Sequence, residues 1–297
     1  MRIGLGLASA LLMLLGATAA SADDRTFDRQ VPAPPRGVVE ISNVGGAIEV
    51  SGWDRTEVSV HAEVAGGVEG VEVSSESGHT SIKVRLPHGF GHGGEARLQV
   101  KIPKDSELDV SAVSADVSTS GVLGVQRLSA VSGDIKAEIA AADVELKTVS
   151  GNLQVKGRGQ PARLRASTVS GDLHLEHGGG DIEVGTVNGA LIASLDGARS
   201  VRAHTTSGDL RFDGTLSHGA TLEASSISGD LAVRAGAEGG YAFEVSSFSG
   251  DISDCFKANP EHTKYGPGSR LEGTRGDGAG HVRLKTMSGD VQLCDRP

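Results

Sequence analysis

The sequence predicts an all-β protein: a single-stranded β-solenoid (parallel β-helix, right-handed) with coils of about 18–21 residues. Three observations predict it. Ser-Gly-Asp recurs at 132–134, 170–172, 207–209, 228–230, 249–251 and 288–290, each time followed by an aliphatic residue, and weaker copies at 44–48, 113–117, 149–153 and 187–191 bring the count to ten. The motif glycines, with Ala115 standing in for the first, step by 18, 18, 20, 18, 19, 21 and 21 residues and finally by 39, so each unit keeps its strands while its turns change length. Apolar and polar residues alternate with period two around the motif, as in half-buried strands, and no segment carries a helical pattern. The irregular coil length, in place of a strict hexapeptide multiple, favours the right-handed form.

Taken in chain order, residues 1–22 read as a signal peptide: Arg2 supplies the charge, Ile3 to Leu15 the apolar run and Ala20-Ser-Ala22 the small-residue cleavage site. The run is too short for a comfortable membrane span, no later segment is apolar enough to cross a bilayer, and no cysteine follows to carry a lipid anchor. A periplasmic or secreted protein is expected. Residues 23–105 are a polar, proline-rich lead-in over 23–35 followed by irregular β coils, with alternation at 38–41, 47–50, 57–64, 80–86 and 96–102 that covers the open end of the stack. Residues 106–297 are the regular coils, with an insertion at about 256–280 that accounts for the 39-residue step.

Each regular repeat divides into two strands and two turns. The position after the motif acid holds Ile48, Val117, Ile135, Leu153, Leu173 and Leu191, then Leu210, Leu231, Ile252 and Val291, aliphatic in every copy and therefore a core column. The next position is mostly polar and faces solvent by strict alternation. Before the motif, pairs such as Val144/Leu146, Leu164/Ala166, Leu222/Ala224 and Val282/Leu284 form two more inward columns.

The net charge is −10, one unit more negative once Arg2 leaves, which argues against nucleic acid or an anionic membrane surface as partner. One Trp, two Tyr and six Phe offer few surfaces on which sugars could stack.

The motif residues Gly133, Asp134, Gly151, Asn152, Gly171 and Asp172, followed by Gly208, Asp209, Gly229, Asp230, Gly250, Asp251, Gly289 and Asp290, have a structural job. Glycine tolerates positive φ in a tight turn, and Ser and Asp bond nearby backbone N–H groups to close that turn. The alternative is a calcium ladder on Asp209, Asp230, Asp251 and Asp290 in four successive copies. Carboxylates about 5 Å apart repel by roughly 1 kcal/mol in water, so such a row needs hydrogen bonds or a cation. Gly and Asp are adjacent here and occur once per coil, interrupted by Asn152 and Ala190, unlike the calcium-binding nonapeptide. Turn capping is the preferred reading, with no cofactor.

Cys255 and Cys294 each lie four residues after a motif acid, so they share a column. If the 39-residue step is one coil plus an insertion, they are lateral neighbours within disulfide reach, and an exported chain favours the bridge. Other motifs are weak. His88 and His92 flank a glycine-rich loop without an acidic or cysteine partner at ligand spacing, Arg275-Gly-Asp277 is expected by chance in a chain this rich in Gly and Asp, and Trp53 either stacks on sugar or covers the end of the first coils. The motif serines have no histidine in a repeated register, so no catalytic residue is assigned.

The chain resembles the bacterial putative-adhesin family of β-strand-repeat domains of unknown function, related to the head domains of putative autotransporter adhesins. The resemblance rests on Gly45-Gly-Ala-Ile-Glu-Val-Ser-Gly-Trp-Asp54, Val100-Lys-Ile-Pro-Lys104, the recurrent Val-Ser-Gly-Asp and the closing Gly280-His-Val-Arg-Leu-Lys-Thr-Met-Ser-Gly-Asp290. It implies an exported envelope β-solenoid with no established enzymatic activity. The expected function is a non-enzymatic, adhesin-like binding or scaffolding module whose partner is an envelope protein or glycan, with self-association through the solenoid ends as a further route. The competing expectation is a polysaccharide-binding or polysaccharide-degrading β-helix protein with a groove along one strand face.

Overall fold

Period-two alternation becomes strand wherever one face can be buried, and here nearly all of it is. In the computed structural model, which describes residues 25–87, 94–140, 142–256, 260–262 and 268–295, 22 strands join in one largely parallel sheet. The signal-peptide segment, His88, His92 and part of the expected insertion lie outside the described residues. Among the described residues no helix is long and apolar enough to cross a membrane.

Equivalent residues of successive repeats pair in register. Leu153 lies between Ile135 and Leu173, and Leu146 between Leu128 and Ala166. All ten residues of the aliphatic column after the motif are buried, Ile252 being the most exposed at 8%. Each rung then contributes about 2 kcal/mol of apolar burial. Val144, Leu164, Leu222 and Val282, with their partners two residues on, are also buried and belong to the same core. The expected turn at Gly178–Gly180 lies inside one long strand, Leu173–Asn188, where His177 and Gly180 take positive φ of 52° and 83° and the register against the next rung shifts.

At both ends the rungs are out of chain order. Val38–Trp53 is not the outermost rung: it pairs in parallel with Glu107–Ser120 on one side and with His79–Arg85 and Ala96–Pro103 on the other. Antiparallel strands then cover that end, with Glu57–Val64 on Ala96–Pro103 and Gly70–Glu76 on His79–Arg85. The lead-in expected over 23–35 is itself a strand, Arg25–Pro32, which pairs antiparallel with Glu57–Val64 and tucks Phe27 and Val31 against the core. An unpaired edge strand would have left its amides in water, and even a polar segment can satisfy them. His61 faces Asp28 across this pair with a 2.7 Å Nδ1–Oδ1 contact, and that hydrogen bond raises the His61 pKa above its ordinary value.

The C-terminal end makes the same exchange. Gly280–Ser288 lies between Leu210–Ser228 and Gly240–Ser249, so the last rung in sequence is the second to last in space. Ser269–Gly276 closes the outside, antiparallel to Gly240–Ser249. The sequence of motif acids along the stack is therefore Asp209, Asp230, Asp290, Asp251, which corrects the chain-order ladder expected above.

Charge favours the exchange at the C-terminal end. One outward column reads Asp109, Arg127, Glu145, Arg165, Glu183 and Arg202, then Glu223, Arg283 and Glu244, alternating in sign over these nine rungs, whereas at its two ends Glu40 faces Asp109 and Glu244 faces Glu272. Neighbours meet as ion pairs, Arg165 with Glu183 at 3.2 Å and Arg283 with Glu244 at 3.0 Å. Stacking in chain order would set Glu223 against Glu244, and directly opposed like charges destabilise a sheet. Arg283→Glu is expected to lower stability by about 1–2 kcal/mol in urea denaturation, allowing 0.2–1 kcal/mol per exposed pair. Adding Glu244→Arg should recover part of the loss. A single variant within experimental error of wild type would remove charge as the ordering term.

Candidate functional site

The motif forms a rail running the length of the stack, and its chemistry joins rungs instead of closing turns. Asp116 Oδ1 accepts the Asp134 backbone N–H at 2.9 Å, Asp134 Oδ1 that of Asn152 at 2.7 Å, Asn152 Oδ1 that of Asp172 at 2.9 Å, and Asp172 Oδ1 that of Ala190 at 2.8 Å. Beyond Ala190, which has no side-chain acceptor, the ladder resumes: Asp209 accepts from Asp230 at 2.9 Å, Asp230 from Asp290 and Asp290 from Asp251, both at 2.8 Å. The expected capping within one turn is thus corrected, because the partner amide lies at least 18 residues away. Asn152 serves as well as Asp because the amide oxygen is an equivalent acceptor.

Glycine is required here chiefly by approach. A Cβ on Gly133 would meet the Ala115 carbonyl oxygen at 2.2 Å, and one on Gly151 the Gly133 oxygen at 2.1 Å. From Gly171 onward the motif glycines also sit at φ of 145–155°, where L side chains are strained. Three residues before the glycine, a buried hydroxyl reinforces the contact: Thr168 Oγ1 donates to Gly151 O at 3.1 Å and Ser247 Oγ to Gly289 O at 3.0 Å. Sequence reading missed this Thr/Ser column, whose signal was a small hydroxyl recurring at an inward position.

Asp209, Asp230, Asp290 and Asp251 occupy consecutive rungs, and the backbone hydrogen bonds of the ladder offset part of their mutual repulsion. Among the described residues no group of three or more His, Cys, Asp or Glu is placed to hold a metal ion.

At the C-terminal end, Cys255 and Cys294 form a disulfide with Cα atoms 4.9 Å apart, across the rungs Ile252–Asp254 and Val291–Cys294. The bridge adjoins a small cluster built around the buried Tyr241. Tyr241 donates its hydroxyl to Asp295 Oδ1 at 2.6 Å, and burial, then that hydrogen bond, push its phenol far above the ordinary range. Arg275 grips Asp295 Oδ2 at 3.0 and 2.7 Å and lies 4.4 Å over the Phe256 ring. The arginine of Arg275-Gly-Asp277 is therefore committed within the chain.

Elsewhere, Trp53 is half-buried beside the second rung and donates its indole N–H to Glu57 O at 2.9 Å, with Arg55 4.9 Å and Lys101 5.9 Å from its ring. It does not cover an end of the stack, since Ala96–Pro103 lies outside its own rung. His177 Nδ1 meets Asp196 at 2.7 Å, but the Ser194 hydroxyl accepts from the His177 backbone N–H, so it is not arranged as a nucleophile on that ring. A shallow polar groove crosses four rungs, lined by Lys136, Glu138, Gln154, Lys156, His174 and Glu176. Arg158 is 2.7 Å from Glu138 and, as the main cause, lowers that carboxyl's pKa.

The profile of a family described as Toastrack DUF4097 matches residues 39–294. Among solved structures, one described as a putative adhesin from Bacteroides fragilis aligns over 92% of this chain and 97% of its own at 10% identity and a TM-score of 0.41. A putative lipid binding protein from Parabacteroides distasonis aligns over 93% and 98% at 9% identity and 0.44. A putative adhesin from Parabacteroides merdae aligns over 92% and 97% at 9% identity and 0.38. No curated protein matches the chain.

Proposed function

The chain belongs to the Toastrack DUF4097 family, and from that premise we propose that it is a non-enzymatic, adhesin-like binding or scaffolding module exported to the bacterial cell envelope. In this reading the parallel rungs are coils of a right-handed, single-stranded β-solenoid, with an irregular cap over 23–105 and regular coils over 106–297. Export rests on the signal-like segment 1–22 and on the Cys255–Cys294 disulfide, which persists in an oxidising compartment.

The observation that carries the reading is a row of the half-buried Ser118 and the exposed Lys136, Gln154 and His174 on consecutive rungs, set beside the buried Val117, Ile135, Leu153 and Leu173. A row at about 4.8 Å per rung, held by a packed core, is a rigid template for an extended partner. A photo-crosslinking residue at Gln154 is expected to capture envelope material in cells, whereas one at Arg165, on another face, is not. Identical adducts from both positions, or none from either, would overturn the assignment.

One feature favours a second reading, a polysaccharide-binding protein: the same groove presents several hydrogen-bonding side chains across four rungs. Retention on a glycan array that is lost in Lys136→Ala and His174→Ala would select it.

A further inference from the structure

The residue immediately before the motif serine is exposed in every rung, and it is almost always apolar. Along the stack the column begins Val44, Val113, Val131, Val149, Val169 and Val187, each 38–49% exposed. It continues through Thr206 to Ile227, Met287 and Phe248, the last three 52–59% exposed. Threading the C-terminal rung inward places Met287 between Ile227 and Phe248, so the stripe is unbroken at that end.

Strand propensity does not explain the column. Two residues earlier, the positions Ser111, Ser129, Lys147 and Ser167 are also exposed but polar, and Met287 and Phe248 are not β-branched. The nine residues at these exposures leave roughly 700 Å² of surface in water, in two runs on either side of Thr206 that together exceed the largest apolar patch of an ordinary monomer. It is also close to the about 800 Å² per partner of a standard interface. The exposed serines Ser132, Ser150, Ser170 and Ser228 on one side, and the polar column on the other, give the stripe the apolar core and polar rim of such an interface.

We propose that this stripe is a lateral self-association surface whose occupant is a second copy of the chain. The period decides between occupants. Rungs recur about every 4.8 Å, whereas an extended peptide laid along the stripe presents same-side residues about every 6.8 Å and falls out of step within two rungs. A second stack has the same period and stays in phase over all ten. The pairing is side by side, distinct from contact between the ends of the stack, and its failure would leave the groove-face reading intact.

Sedimentation of the exported protein from about 1 to 200 µM tests it. Wild type is expected to dimerise, and Val149→Lys/Val169→Lys to raise the dimer Kd by roughly 100-fold or more while melting as wild type does. The gentler Val149→Ser/Val169→Ser should raise it about tenfold, which guards against a folding defect in the lysine variant. A wild type that stays monomeric throughout, or lysine and serine variants that dimerise as well as wild type, would overturn the proposal. So would a monomer that co-sediments with phosphatidylcholine vesicles and loses that binding in the lysine variant, since the occupant would then be lipid.

Discussion

Gly208→Ala is expected to cost about 3–5 kcal/mol in urea denaturation, more than most single substitutions. An alanine Cβ at this position would lie 1.9 Å from the Gly189 carbonyl oxygen and 2.7 Å from its carbon, and Gly208 has φ of 154°. The neighbouring rung cannot retreat locally. Gly189 donates its N–H to Ser207 O at 3.1 Å and Gly208 to Ser228 O at 3.0 Å, so separation at one rung breaks hydrogen bonds on both sides. Loss of a buried backbone bond adds its own desolvation cost. Gly219→Ala is the control: φ is 69°, but nothing lies within 4 Å of the new methyl, so only the local backbone penalty of about 1–2 kcal/mol applies. Equal effects at the two positions would show that conformational freedom, and not approach between rungs, is what the motif glycine supplies.

Cys255→Ser/Cys294→Ser is expected to cost about 4 kcal/mol by the chain-entropy argument for a bridge spanning 39 residues. The damage should be local. Because each rung contacts only its neighbours, amide exchange should accelerate over 240–254 and 269–276 while 126–207 keeps its protection. The same variant loosens the setting of Phe256, which packs 5.8 Å from Phe243 and under Arg275, so the outermost rung loses its ring contacts together with its covalent tie. Uniform loss of protection along the chain would contradict a nearest-neighbour stack.

Much of this arrangement was legible in the residues. The aliphatic column after the motif and the paired inward columns before it are set by period-two alternation, and burial follows because a strand has only two faces. The cysteine pair was legible for the same reason: equal offsets from equivalent acids place both in one column. The carboxylate ladder was legible as a row but not in its order, and the partner of each acid was misassigned to its own turn. An isolated Ser-Gly-Asp offers only local amides, whereas the stack presents an unshared amide from the next rung at hydrogen-bonding distance.

What the sequence by itself determined is the content of each rung: which positions point inward, which carry charge and where the chain must have glycine. Those follow from one repeat, since they depend on local geometry and on the two faces of a strand. The order of the rungs was decided only in the tertiary structure. Gly280–Ser288 turns Val282 and Leu284 inward, apolar like Leu222 and Ala224 on one side and Phe243 and Val245 on the other, so the apolar pattern by itself does not place it. The cross-rung term favours Arg283 between Glu223 and Glu244, and that term exists only between segments already side by side. The apolar stripe owes its continuity to the same event, because Met287 joins Ile227 to Phe248 only once the last rung in the chain has become the second to last in space.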